Sequence, residues 1–151
     1  MEARGAAGGP ILTEPTLRTT VGALGVFHVL EGLYMLLAPG SFYSRIGTYG
    51  LENTHYVGDV GSFVLAFGIA LLLAVGRPSW RPAVLTVGAL WYAFHAANHL
   101  FDIGEARSTA RGVIDTVLLT LGAILLGWLA NVAQRDRRPQ PLVPLERPER
   151  R

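Results

Sequence analysis

Long apolar runs separated by short polar segments dominate this chain. Four runs of about 20 residues contain few charged side chains, and they cover residues 19–38, 57–75, 82–101 and 112–132. Because an α-helix rises about 1.5 Å per residue, a helix of that length crosses the ~30 Å hydrocarbon core of a bilayer. The pattern predicts an all-α, polytopic membrane protein, built as a four-transmembrane-helix bundle.

The two ends of the chain lack this pattern. Residues 1–18 are polar, contain Gly and Pro, and predict a flexible N-terminal leader before a transmembrane domain at 19–133. Residues 134–151 contain four Pro and six Arg, which predicts a disordered cytoplasmic tail. The first apolar run exceeds the ~7–15 residues of a signal-peptide core, and no small-residue cleavage site follows it. We therefore expect an uncleaved span.

Composition narrows the class of protein further. Half of the residues are hydrophobic and only 16% are charged, against about 25% in an ordinary soluble domain. The chain contains no Cys, so it is not a disulfide scaffold. These values exclude a disordered chain and a water-soluble enzyme, and they favour the membrane protein.

The distribution of Arg predicts an orientation. All 13 basic residues are Arg, and in a four-span bundle ten of them lie on the side that holds both ends and the connection 77–81. The opposite side holds three: Arg45, Arg107 and Arg111. Since cytoplasmic loops are the Arg-rich ones, we expect a multi-pass protein of the plasma or inner membrane with both termini cytoplasmic. The basic tail favours a lipid bilayer as partner. It does not favour nucleic acid, because acidic residues reduce its positive charge and no aromatic residue lies between the Arg residues.

One polar stripe interrupts the third apolar run. His95, Asn98, His99 and Asp102 follow one another at spacings of three and four residues, which places them on one helical face. Ionisable groups inside a membrane span are costly and usually face the bundle interior. The stripe therefore predicts a polar interior near the end of the third helix.

The other three runs carry polar groups at the same level of the predicted bundle. His28 and Glu31 lie one turn apart in the first run, His55 and Asp59 begin the second, and Asp115 begins the fourth. Because odd and even helices run in opposite directions, these groups converge with the stripe on the outer leaflet. We expect His28, Glu31 and the two His of the stripe to share one interior space.

This set of imidazoles and carboxylates suggests two kinds of chemistry. Imidazole nitrogen and carboxylate oxygen are ligands of Zn, Cu or Fe, and a His-x-x-x-His pair places two ring nitrogens on one face. The candidate metal ligands are His95, His99, Glu31, His28 and Asp102, and the further members of the polar cluster are His55, Asp59, Asn98 and Asp115. Without a metal, the same set would move protons or bind a small lipid-like molecule. A purely structural role stays open, in which His28 and Glu31 fix helix packing and the Asp residues pair with Arg.

Small residues in the spans predict close helix contacts. The positions are Gly22, Gly25 and Gly32 on the first helix and Ala123-x-x-x-Gly127 on the fourth. Such spacings let two helix backbones approach each other. We interpret them as contacts inside the bundle, with a homodimer face as the alternative.

This layout resembles the small DoxX-like integral membrane proteins over about residues 18–133, and within them an uncharacterised actinobacterial group. The motifs that carry the resemblance are Gly22-x-x-Gly25, the Pro39-Gly40 exit and His95-x-x-x-His99. The resemblance implies a four-helix membrane fold. Some DoxX-type proteins are described as subunits of quinone-linked sulfur oxidoreductases, but no Cys or quinone signature here extends that role to this chain.

The sequence thus predicts a small integral membrane protein whose outward-facing His/carboxylate cluster binds a metal or a small lipid-like ligand. Two alternatives remain open. One is a non-catalytic accessory subunit that pairs with a membrane protein or with itself. The other is a small membrane enzyme that acts on a lipid or quinone by acid–base or redox chemistry.

Overall fold

A computed structural model describes residues 12–47 and 49–135, and this part of the chain is all-helical. Its α-helices are α1 (Glu14–Leu37), α2 (Pro39–Arg45), α3 (Thr54–Val75), α4 (Arg81–Phe101) and α5 (Thr109–Arg135). Single 3-10 turns at Pro78–Trp80 and Ile103–Glu105 lead into and out of α4. The predicted all-α class is confirmed for these residues, which contain no β-strand.

Three of these helices are long and apolar enough to cross a membrane: α1, α3 and α5. Their outward surfaces are apolar, as a protein surrounded by lipid requires. The fourth predicted span, 82–101, lies within α4, which is 21 residues long. It is not one of the three, because the polar side chains of its second half lower its hydropathy.

The first helix begins earlier than its apolar run. The side chain of Thr13 accepts a hydrogen bond from the backbone N–H of Thr16, and Pro15 occupies the first turn. Both are typical of a helix start. Leu17 is 1% exposed and lies in the core, so residues 14–18, predicted as leader, belong to α1.

The outer parts of the leader and the tail lie outside the described residues. Of the predicted tail 134–151, the structure describes only Gln134 and Arg135, which end α5. The disorder predicted for the remaining tail residues and for the start of the leader stays a prediction.

The helices form two hairpins, in which α1 packs along α3 and α4 packs along α5. Gly25 lies against Leu72 and Gly32 against Leu65, so α1 and α3 run in opposite directions. A Cβ added to Gly32 would lie 2.5 Å from the backbone nitrogen of Leu65. The two backbones are therefore in direct contact, as the glycine spacing predicts.

The partner helix α3 contributes glycines that the sequence reasoning overlooked. A Cβ on Gly68 would lie 2.6 Å from the nitrogen of Val29, and one on Gly61 would lie 2.6 Å from Cβ of Met35. By contrast, a Cβ on Gly22 or Gly127 would make only ordinary contacts. The backbones of α1 and α3 are thus closest to each other in the middle of the first hairpin.

A buried core joins all four long helices at one end of the molecule, which we call the core end. It lies where α1 and α4 begin and where α3 and α5 finish. Its members are Leu17, Val21, Phe67, Leu71, Ala74, Leu85, Leu126, Leu129, Ala130, Val132 and Ala133. The opposite end, near α2, has a smaller core of Met35, Phe42, Val57 and Val64.

Arg81 fastens three helices together at the core end. Its side chain is 2% exposed, and its Nη1 donates to both carboxylate oxygens of Glu14, at 2.9 and 2.7 Å. Nε and Nη2 donate to the carbonyl oxygens of Ala74 and Val75, at 3.1 and 3.0 Å. The last carbonyls of a helix lack donors of their own, so Arg81 caps α3 while it pairs with α1.

Candidate functional site

A cavity of about 610 Å³ lies at the α2 end, between the two hairpins. Its size falls in the range of small-molecule sites, about 300–1,000 Å³. All five α-helices contribute to its wall, and most of the lining side chains are aliphatic or aromatic. At the core end, buried apolar side chains fill the space between the two hairpins. At the α2 end, that space contains the cavity beside the smaller core.

The polar stripe of α4 faces this cavity. His95, Asn98, His99 and Asp102 all line it, and Glu31 lines it from α1. Asn98 Nδ2 donates to Asp102 Oδ2 at 3.1 Å, on the exposed side of the stripe. Of the four residues predicted to share one interior space, Glu31, His95 and His99 line this cavity, and His28 does not.

On α5, Asp115 also lines the cavity, but it has a cationic partner. Nε of Arg111 donates to Asp115 Oδ2 at 2.9 Å, one turn apart on the same helix. The structure thus contains an Asp–Arg pair at this residue, which is the purely structural role that the sequence analysis kept open for it.

Two members of the predicted cluster lie away from the cavity. His55 and Asp59 occupy the first turns of α3, with side chains 90% and 67% exposed. Their closest contact is with each other, 3.6 Å between Nε2 and Oδ2. They form a surface pair, because the start of α3 turns this face away from the other helices.

His28 is buried beside the cavity and does not line it. Its Nδ1 lies 2.7 Å from the carbonyl oxygen of Leu24, and its Nε2 lies 2.9 Å from the hydroxyl of Tyr92. A carbonyl only accepts, so Nδ1 carries the proton, and in the neutral ring Nε2 accepts from the Tyr92 O–H. Both ring nitrogens are occupied, and His28 positions Tyr92, which does line the cavity.

His95 and His99 face each other through their Nε2 atoms, which are 3.0 Å apart. Only one proton fits between two nitrogens at that distance. In the neutral pair one ring donates through Nε2, and the other accepts and carries its own proton on Nδ1. The pair therefore presents one Nδ1–H donor and one bare Nδ1 acceptor.

Buried polar atoms without partners mark this cavity. Glu31 Oε2, His95 Nδ1 and His99 Nδ1 have no hydrogen-bond partner within residues 12–47 and 49–135. Buried polar atoms in native proteins are nearly always hydrogen-bonded, and each orphan costs about 1–3 kcal/mol. Three residues of the cavity wall thus each carry a buried polar atom without a partner.

The fourth orphan is the hydroxyl of Tyr49, from the segment between α2 and α3. The Tyr49 ring lies 4.2 Å from the ring of His99, centre to centre. Burial raises the pKa of Tyr49, and the nearby carboxylate of Asp115 raises it further. Tyr49 therefore stays a neutral phenol near physiological pH.

Residues 46–47 and 49–53 lie at the α2 end of the cavity and are hydrogen-bonded to the second hairpin. Tyr49 pairs with Ala106 in an isolated antiparallel bridge, and the N–H of Gly50 donates to the carbonyl of Glu105 at 3.3 Å. Nη2 of Arg111 donates to the carbonyl of Ile46 at 3.2 Å. These bonds hold Tyr49 over the cavity.

The sequence reasoning missed the aromatic part of the site. Trp91 and Tyr92 precede His95 by four and three residues, so they extend its helical face toward the core end. That spacing was a usable signal. Trp91 contacts the rings of Phe63 and His95, with centroid distances of 5.1 and 5.9 Å, and lines the cavity.

The described residues contain no group of three or more His, Cys, Asp or Glu side chains placed to hold a metal ion. The five candidate ligands therefore do not form one coordination sphere. His28 is occupied by Leu24 and Tyr92, and Asp102 is bonded to Asn98. The His95–His99 pair is the part of that set that remains close together.

Comparisons with protein-family models, with curated proteins and with solved structures give no match. The resemblance to the DoxX-like proteins rests on layout and short motifs, and it stays a prediction.

Proposed function

We propose that this protein is a four-span membrane protein that binds a small amphipathic molecule in the cavity between its two hairpins. One observation carries the proposal. Glu31, His95 and His99, each of which has a buried polar atom without a partner, line a cavity whose remaining wall is mostly apolar. A molecule with a polar head and an apolar body satisfies both parts of that wall.

Most of the imidazole and carboxyl side chains of the wall come from α1 and α4, which sets the proposed pose of the ligand. Glu31 and the α4 stripe supply them, and apolar side chains such as Met35, Val60 and Leu118 line the same cavity. The head would bind between α1 and α4. The apolar body would lie against α3 and α5.

In this proposal α4 is the fourth membrane span. Its polar stripe faces the cavity, and its other face exposes apolar side chains, among them Val87, Leu90 and Phe94. A helix with an apolar outer face and a polar inner face suits a span that lines an internal site. The Arg distribution then places the cavity toward the outside of a plasma or inner membrane.

Fluorescence quenching tests the binding directly. Trp91 lines the cavity, so a Trp80→Phe/Trp128→Phe background leaves it as the only Trp of the chain. The probe is dodecanol carrying bromine atoms on its chain, added to protein in nanodiscs of neutral lipid. We expect saturable quenching of Trp91 fluorescence.

Two variants separate binding in the cavity from contact with lipid. Val60→Phe fills the cavity wall and should abolish the saturable part of the quenching. The matched control Leu121→Phe adds a ring on the exposed surface of α5 and should leave quenching unchanged. Equal, non-saturable quenching in all three proteins would contradict the proposal.

A divalent metal is a second candidate ligand, and one distance favours it. Two imidazole nitrogens bound to one tetrahedral metal ion at ~2.0–2.1 Å lie ~3.3 Å apart, close to the 3.0 Å between the Nε2 atoms of His95 and His99. Titration with Zn²⁺ or Cu²⁺ should then give a site that His95→Ala removes and the surface variant His55→Ala keeps. A metal affinity that is equal in both variants would dismiss this candidate.

A further inference from the structure

We infer that the polar head of the ligand is a cationic amine, so that the molecule bound in the cavity is an amphiphilic amine. The inference rests on the proposed function and adds the chemical class of the ligand. It follows from the charges around the cavity, the hydrogen bonds its head must make and the rings that surround it.

Acidic side chains line the cavity and outnumber the basic ones. The carboxylates of Glu31, Asp102 and Asp115 line the cavity, and no Arg is part of its lining within the described residues. Asp115 is paired with Arg111, and Asp102 accepts from the amide of Asn98. Glu31 forms no ion pair in this part of the chain, and its Oε2 is buried without a partner. A cation in the cavity would supply the partner that Glu31 lacks.

The hydrogen bonds needed by the wall also distinguish between head groups. An ammonium group offers three donors. Glu31 Oε2 is an acceptor, and the neutral His95–His99 pair presents one bare Nδ1 as a second acceptor, while its Nδ1–H is a donor that an ammonium group leaves without a partner. A hydroxyl group donates only once. A carboxylate donates nothing and would lie against the carboxylate of Glu31.

Aromatic rings line the same region. Phe27 precedes Glu31 by one helical turn on α1, and both line the cavity. Trp91 and Tyr92 line it from α4, with ring centroids 5.0 Å apart and planes at 84°. The faces of aromatic rings attract cations, and a buried carboxylate beside such rings suits an alkylammonium group.

Competition with the brominated dodecanol, measured as recovery of Trp91 fluorescence, tests the class of head group. All competitors have the same chain length. The competitors are dodecylamine, 1-dodecanol, dodecanoate and N-dodecylacetamide, the last of which keeps the nitrogen and removes its charge. Dodecylamine should displace the probe at about one tenth of the dodecanol concentration, since a charge-assisted hydrogen bond is stronger than a neutral one. Dodecanoate should displace the probe least.

A substitution at the carboxylate tests the same point from the protein side. Glu31→Gln should remove the advantage of dodecylamine over dodecanol, read as the ratio of the two concentrations that displace the probe. Asp59→Asn, a surface carboxylate away from the cavity, is the matched control and should keep the advantage. If Glu31→Gln does not fold, the comparison of dodecylamine with N-dodecylacetamide on the unaltered protein still decides the question.

The two proposals fail in different ways. Equal displacement by the amine, the alcohol and the acetamide would overturn the cationic head and leave the amphiphile-binding cavity standing. Absence of any saturable quenching by the brominated probe would overturn the cavity function itself.

Discussion

The hydroxyl of Tyr92 donates a hydrogen bond of 2.9 Å to Nε2 of His28, and this bond joins α4 to α1 beside the cavity. The direction of the bond follows from the other side of the ring, where Nδ1 must donate to the Leu24 carbonyl. His28 is 1% exposed, so neither of its ring nitrogens has water as an alternative partner. The two hairpins are thus held together by a polar contact at the edge of their apolar core.

Loss of this bond should lower stability. Tyr92→Phe removes the donor and leaves Nε2 of His28 buried and unpaired, which costs about 1–3 kcal/mol. We expect a lower melting temperature in detergent. Tyr56→Phe, at a side chain on the exposed start of α3, is the control and should melt like the parent protein. Identical melting of both variants would show that this bond contributes nothing.

The close approach of α1 and α3 should not tolerate a methyl group. In Gly32→Ala the new Cβ would meet backbone atoms of Leu65 at 2.5 and 2.7 Å, and backbone cannot move aside as a flexible side chain can. Overpacking of this kind costs about 1–3 kcal/mol.

Gly58→Ala provides a matched control for that substitution. It lies in α3, the other helix of the same hairpin, and its Cβ would meet nothing within 4 Å. Thermal unfolding should show a loss in Gly32→Ala and no loss in Gly58→Ala, since alanine favours the helix. Equal stability of the two variants would contradict the backbone contact.

Arg81 should contribute more to stability than its partner Glu14. Arg81→Met removes the donors to the carbonyls of Ala74 and Val75 as well as the ion pair with the exposed carboxylate of Glu14, and a buried carbonyl left without a donor costs about 1–3 kcal/mol. Glu14→Gln keeps both bonds to α3 and should cost less. The exposed residue Arg77 supplies a control, Arg77→Gln, with little change expected. The ranking would be refuted if denaturation gave Glu14→Gln the larger effect.

Cysteine labelling tests the orientation. The chain has no native Cys, so each single-Cys variant gives a clean signal. Gly76→Cys and Gly104→Cys lie in the connections at opposite ends of α4, and a Cβ at either position meets nothing within 4 Å. A membrane-impermeant maleimide should label Gly104→Cys in intact cells and Gly76→Cys only after lysis. The reverse pattern would invert the orientation and turn the cavity toward the cytoplasm.

The positions of the helices were predictable because a membrane span is a local property of the sequence. Each apolar run falls inside one helix, apart from Ala38 at the end of the first. The start of α1 was less visible, since Thr13 and Pro15 precede the apolar run. The pairing of His95 with His99 was also predictable, because a spacing of four residues puts two side chains on one helical face.

The contacts between helices were not predictable in the same way. The partner of His28 is 64 residues away, and its identity depends on how α1 and α4 are rotated about their axes. Tyr49 lines the cavity from outside the helices. Its position depends on tertiary bonds to Glu105 and Arg111, which no local pattern encodes.

The glycine contact inside the first hairpin has a consequence for how a guest molecule would arrive. The backbones of α1 and α3 pack directly against each other, whereas α3 and α4 meet through side chains such as Phe67 and Trp91. Side chains change rotamer more readily than packed backbones separate. The cavity lies between the hairpins, where the helices are in looser contact than within each hairpin. A molecule dissolved in the bilayer would reach the site sideways between the hairpins, without crossing an aqueous path.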